Sequence, residues 1–230
     1  MTLPQPYYQD EHVILYHANC VDVLPHIDQV DAVITDPPFG IGFKYENLRE
    51  TYSSPEEYYA WLMPIMRLCN EKLAPGGFNA IWQAQLYFKY FWQYFGDDIH
   101  VYCAAKNFVQ LRKTAINYSY DPVVMFYKYG VKLSPIKPKR NVDFFVSNIA
   151  KLINNTKRIE KQHPCPRPLD VVLEIVSNFS TGTILDPFSG SGTTLLAAKK
   201  LGRKAIGIEV NQKYCDVFIQ RVMEEDKNTL

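Results

Sequence analysis

Short apolar runs alternate with longer amphipathic stretches along this 230-residue chain. That alternation restricts it to an α/β architecture with a mainly parallel sheet. Strands are expected at residues 12–16, 32–35, 78–83, 99–105, 123–127, 183–186 and 204–209. Helices fall between them. Ser54-Pro55-Glu56-Glu57 is a capping box with proline at the first helical position, so a helix should run from there to near Leu73, before Pro75-Gly76-Gly77. A second helix is expected at 85–95, ended by Gly96. A third starts at Pro168, where Leu169, Val172, Leu173, Val176 and Phe179 form one helical stripe. Residues 191–201 and 212–223 complete the set.

Residues 128–162 fit this scheme poorly and read as an insert or small subdomain. Charge separates the same region. Of the chain's 25 basic and 24 acidic residues, nine and two lie within 131–167, leaving 16 and 22 elsewhere. A basic segment on an acidic body suits contact with a polyanion, although a solvated lysine-rich loop explains it equally well. No apolar run approaches the ~20 residues that span a bilayer, and the first residues lack the basic-then-apolar pattern of a secretory signal. Cys20, Cys69, Cys103, Cys165 and Cys215 are scattered, with no C-x-x-C pair. They read as reduced thiols of a cytoplasmic protein, not as a disulfide frame or metal site.

Two loops carry chemistry. Ile184-Leu185-Asp186-Pro187-Phe188-Ser189-Gly190-Ser191-Gly192-Thr193-Thr194 reads as strand, glycine turn and helix start. Glycines at 190 and 192 let the backbone approach a ligand, and a helix N-terminus offers N–H groups to an anion. The next strand ends at Glu209, where an acid can accept both ribose hydroxyls of an adenosine ligand. A dinucleotide site would want a third glycine where Leu195 stands. A P-loop would want a lysine after Gly192. A tight turn with no ligand is the remaining alternative.

The second loop is Thr35-Asp36-Pro37-Pro38-Phe39-Gly40, directly after the run Ala32-Val33-Ile34. The prolines fix φ and remove donors. The Asp36 carboxylate and Pro37 carbonyl remain as acceptors, and Phe39 supplies a flat face. This set suits an aromatic amine, whose lone pair is delocalised into its ring. Two acceptors gripping its N–H bonds would free that lone pair, and stacking on Phe39 would hold the base, worth about 1–3 kcal/mol. A rigid turn over a buried phenylalanine is the structural alternative.

With Asp-Pro-Pro-Phe standing 150 residues before the Asp186–Gly192 loop, the chain resembles the beta group of amino-methylating DNA methyltransferases. Other segments match that group. Leu73-Ala74-Pro75-Gly76-Gly77 is similar to its turn before the fifth strand. Tyr120-Asp121-Pro122 is similar to the entry to its antiparallel strand, where Glu is commoner than Asp121. His163-Pro164-Cys165-Pro166-Arg167-Pro168 resembles its H-P-x-x-K-P lead, with Arg167 for the usual lysine. Asn19, followed by Cys20, stands where an acid is usual.

The resemblance implies a class I S-adenosylmethionine-dependent methyltransferase fold, circularly permuted. Its Rossmann-like, mostly parallel sheet has seven strands, one of them an antiparallel hairpin strand. Residues 1–128 would be the catalytic half, 129–162 a basic target-recognition insert and 163–230 the cofactor half. The implied reaction is methyl transfer from S-adenosylmethionine to N6 of adenine, flipped out of double-stranded DNA. Asp36, Pro37, Pro38 and Phe39 would be catalytic. The cofactor would be bordered by Asn19, Cys20, Asp36, Phe188, Gly190 and Gly192, with Asp186 in the same loop. Glu209 would hold its ribose, and Thr193, Thr194 and Arg167 its methionine end. Lys132, Lys137, Lys139, Arg140, Lys157 and Arg158 would meet DNA. No metal or membrane is implied, homodimers are common in the group, and the resemblance leaves open a restriction-modification system, a lone enzyme or a phage. Competing readings are N4 methylation of cytosine, an inactive DNA-binding homologue and a nucleotide-dependent oxidoreductase.

Overall fold

A computed structural model describes residues 3–38, 44–45, 48–49, 52–96, 98–110, 118–128, 144–147, 167–180 and 182–229. Its strands are β1 (Tyr8–Gln9), β2 (Val13–His17), β3 (Val30–Thr35), β4 (Lys44–Tyr45), β5 (Leu48–Arg49), β6 (Leu73–Trp82), β7 (His100–Gln110), β8 (Tyr118–Tyr127), β9 (Phe144–Ser147), β10 (Ile184–Asp186) and β11 (Ala205–Glu209). Its helices are α1 (Cys20–Val23), α2 (Pro55–Lys72), α3 (Phe88–Phe95), α4 (Leu169–Phe179), α5 (Thr193–Lys200) and α6 (Gln212–Thr229).

Among the described residues, nine strands form one sheet in the order β1-β2-β11-β10-β3-β6-β8-β7-β9, and β4 pairs with β5 in a separate ribbon. The expected seven strands are its centre, from β2 to β7. The count differs because short edge strands extend both sides. β1 runs antiparallel to β2, and β9 runs parallel to β7. β8 runs antiparallel to both of its neighbours, β6 and β7, the hairpin arrangement expected for residues 123–127. The Pro75-Gly76-Gly77 turn is absorbed into β6 as an irregularity, where the pairing jumps from Val30–Leu73 to Ala32–Phe78.

The strands are apolar on both sides because helices cover both faces. Ala32 and Ile34 of β3 pack with Val172, Ile175 and Val176 of α4, Leu195 of α5 and Phe218 of α6. Val33, between them, faces the opposite layer with Leu62 and Met66 of α2 and Phe91 of α3. The α2 cap forms as the sequence implies: the Ser54 hydroxyl accepts from the Glu57 amide at 3.2 Å, and the Glu57 carboxylate reaches back to the Ser53 amide at 2.7 Å.

β10 pairs in parallel with β11 on one side and β3 on the other. The chain leaves these two neighbours in opposite directions, β10 towards β11 and β3 towards β6. Their carboxyl ends therefore flank a topological switch point, where open α/β sheets form a ligand crevice. Among the described residues, no helix is long and apolar enough to cross a membrane, and no group of three His, Cys, Asp or Glu is arranged to hold a metal ion.

Candidate active site

Asp186 ends β10 and Thr35 ends β3. The Thr35 hydroxyl donates to Asp186 at 2.7 Å, so the two motif loops start from one buried contact. The Phe188 amide also donates to the Asp186 carboxylate, at 3.2 Å. Burial pushes the Asp186 carboxyl up to about 6, although hydrogen bonds from Thr35, Thr194 and Phe188 hold it down.

The glycine loop has the backbone its residues permit. Gly190 and Gly192 both have positive φ, 50° and 75°. A Cβ on Gly192 would lie 2.1 Å from the Phe218 ring. The third glycine of a dinucleotide loop normally lets helix and strand pack closely. Here Leu195 fills that helix position and the room comes from the strand: a Cβ on Gly207 would lie 2.6 Å from Leu195. Thr193 and Thr194 are buried. Thr194 bonds Asp186, and Thr193 receives a hydrogen bond from Arg221 of α6 at 3.1 Å. Arg221 also donates to the Ser191 carbonyl at 2.5 Å, bracing the loop from behind. Sequence reasoning missed Arg221, because nothing local marks a helix arginine thirty residues away as part of the loop.

Glu209, at the end of β11, is buried under the same loop. Its two carboxylate oxygens accept from the Gly190 and Asn211 amides, each at 2.8 Å. Burial pushes its carboxyl up to about 7, against those two bonds. Each oxygen keeps a further lone pair for a ligand hydroxyl. Asn19 caps α1 by accepting from the Val21 amide at 3.3 Å. Cys20 is buried beside it, and desolvation pushes its thiol up to about 12. The Phe188 ring lies 5.8 Å from that of Trp61 on α2.

Asp36 follows β3 and is gripped by a forked pair. Arg167 Nε and Nη2 donate to its two oxygens at 2.6 and 2.8 Å, and Arg167 Nη1 donates to Asp121 at 3.0 Å. The Arg167 side chain is only 12% exposed, and its guanidinium carbon lies 6.0 Å from the Trp82 ring centroid. Burial pushes the Asp36 carboxyl up, and the Arg167 guanidinium pulls it down. Arg167, expected at a methionine end, thus sits against Asp36 and Asp121. Asp121 was legible only as a strand entry. Phe39 and the six basic residues Lys132, Lys137, Lys139, Arg140, Lys157 and Arg158 lie outside the described residues.

The arrangement sets an arginine-paired carboxylate, whose pKa burial raises on balance, beside a glycine loop whose amide is bonded to a second carboxylate. Comparisons with known proteins give the family and the fold. Residues 30–220 match the family model described as DNA methylase, the N6/N4 type. The type II methyltransferase M.ScaI of Streptomyces caespitosus is 28% identical, over 97% of this chain and 85% of its own length. M.HpaI of Haemophilus parainfluenzae is 25% identical, over 90% of this chain and 73% of its own. Among solved structures, the cytosine-N4-specific PvuII DNA methyltransferase superposes with a TM-score of 0.72 at 20% identity, covering 93% of this chain and 87% of that one. M1.HpyAVI, solved with S-adenosylmethionine, gives 0.70 at 22%, covering 91% and 98%.

Proposed function

The chain belongs to the N6/N4 DNA methylase family, in the beta order with the Asp-Pro-Pro-Phe motif first, and on that premise we propose that it methylates N6 of adenine in double-stranded DNA with S-adenosylmethionine as donor. The observation that carries this reading is the Asp36 carboxylate, held by Arg167 next to the loop that begins at Asp186.

The site fits the cofactor on its own features. Gly190 and Gly192 hold the loop in a conformation that brings backbone close to a ligand, and Glu209 offers two oriented acceptors to a diol. Glu209 would hold the ribose, with Phe188, Gly190, Gly192, Asn19 and Cys20 along the cleft and Thr193 and Thr194 at the helix start. When bound, S-adenosylmethionine supplies an electrophilic methyl group.

The chain's own residues prepare the nucleophile. The extruded base, whose flipping costs on the order of a few kcal/mol, stacks on Phe39. The Asp36 carboxylate and the Pro37 carbonyl accept its amino hydrogens and draw the nitrogen towards tetrahedral geometry. Burial raises the Asp36 carboxyl and the Arg167 guanidinium opposes that rise; the pairing matters because a protonated Asp36 would carry a donor where an acceptor is needed. Catalysis is then mostly positioning. The carboxylate at 36 favours adenine over N4 of cytosine, where serine is typical of this position. The basic residues of 129–162 would track the phosphates and select the target.

The test is nucleoside analysis of DNA from a host without resident amino methylation that expresses the chain. N6-methyladenine is expected. N4-methylcytosine would replace adenine by cytosine as target, and the absence of both modified bases would overturn the proposal.

A further inference from the structure

The Asp-Pro-Pro turn has a difficulty of its own making. Two successive prolines leave it no N–H at 37 or 38, so neither of these residues can donate to its surroundings. At those two positions only the carbonyls can accept an anchoring bond. One of them is held. The Tyr58 hydroxyl, from the first turn of α2, donates to the Pro38 carbonyl at 2.5 Å. Gln83, just beyond β6, donates from Nε2 to the same hydroxyl at 2.9 Å. The Gln83 side-chain carbonyl in turn accepts from the Ala84 amide at 2.8 Å. These partners fix the direction of every bond: amide to Gln83, Gln83 to Tyr58, Tyr58 to Pro38. Tyr58 and Gln83 are both fully buried. In that setting a connected chain of hydrogen bonds is stiff, each bond polarising the next.

Gln83 also links the two ends of the turn. Its backbone amide donates to the Pro122 carbonyl at 3.3 Å, and the neighbouring Asp121 holds Arg167 against Asp36. The turn is therefore braced at Asp36 through a guanidinium and at Pro38 through a phenol.

We infer that Tyr58 and Gln83 are positioning residues for the methyl-transfer reaction: their buried relay fixes the Pro38 carbonyl and so holds the Pro37 carbonyl in place for the target base. Neither side chain touches the base or the cofactor. The inference rests on the methyltransferase reading above.

Tyr58→Phe tests it with little disturbance, since the ring stays among Tyr52, Tyr59, Trp61 and Tyr87, whose centroids lie 5.2–6.0 Å away. Transfer of labelled methyl from S-adenosylmethionine to unmethylated plasmid DNA gives kcat and KM; titration gives the cofactor Kd; thermal melting reports the fold. The expected result is a kcat lowered at least about tenfold, with the cofactor KM and Kd within twofold of wild type. Gln83→Met, which keeps the volume but removes the donor, should lower kcat in the same direction by a smaller factor. It also carries the test should Tyr58→Phe fail to fold. A kcat within twofold of wild type in the folded variants overturns the inference. So does a cofactor Kd that weakens in step with kcat, which would mark a general loosening of the site. A wild-type chain that transfers no methyl overturns the underlying reading instead, whatever the variants do.

Discussion

Thr35 and Asp186, 151 positions apart in sequence, share a buried hydrogen bond of 2.7 Å across the β3–β10 junction. That bond brings two loops with separate chemistry to one crevice. Asp36 leaves one side of it and Phe188 the other. The sheet order makes the meeting unavoidable, because β3 and β10 pair in parallel and both end at the switch point.

The glycine loop should tolerate no side chain at 192. Gly192→Ala would combine a left-handed backbone with a Cβ 2.1 Å from Phe218. We expect a loss of about 3 kcal/mol of stability, read by urea unfolding, with cofactor affinity falling at the same time.

The forked pair predicts a contrast between two substitutions. Arg167→Ala removes the guanidinium that bridges the Asp36 and Asp121 carboxylates, and should lower stability by about 3 kcal/mol. Arg167→Lys keeps the charge but loses the planar fork. It should stay folded and lose about tenfold in kcat, the worth of one charge-assisted hydrogen bond. Equal melting temperatures for wild type and Arg167→Ala would contradict this.

Glu209 gives the cleft a pH response. Burial pushes its carboxyl up from an ordinary 4.5 to about 7. A raised acid binds more protons folded than unfolded, so its contribution to stability falls as pH rises from about 4.5 to 7. Ligand hydroxyls favour the ionised form. Cofactor binding should therefore release a proton and tighten as pH rises towards 8. Titrations at several pH values check this, and Glu209→Gln should flatten the dependence while weakening the affinity.

The basic segment should appear as a salt effect. Each side chain on a phosphate contributes about 0.9 to the slope of log K against log salt. Replacing Lys137, Lys139 and Arg140 with alanine should reduce that slope by up to about 2.7 in fluorescence anisotropy with duplex DNA. An unchanged slope would place these residues off the DNA.

The sequence disclosed what is encoded locally. Asp36-Pro37-Pro38, the glycine loop, Glu209 and the seven central strands all announce themselves through turn chemistry and apolar period. What it concealed is tertiary. Arg167 lies 131 positions from Asp36, and no pattern links a residue before α4 to a carboxylate after β3. The strand β9 was hidden inside a segment read as an insert, since its pairing with β7 is a long-range backbone contact. The turn at Pro75-Gly76-Gly77 looked like a boundary, yet β6 runs through it by shifting register. Asn19 stood out for lacking an acid, and its visible work is to cap the short α1.

The most direct test compares wild type with Asp36→Ala in two measurements on the same preparations: S-adenosylmethionine binding, and incorporation of labelled methyl into unmethylated duplex DNA. The wild-type chain should bind the cofactor and label adenine. Asp36→Ala should bind it with nearly the same affinity and lose on the order of 10²–10³-fold in transfer. A wild type that leaves DNA unlabelled, or an Asp36→Ala chain that labels it as fast, would contradict the account.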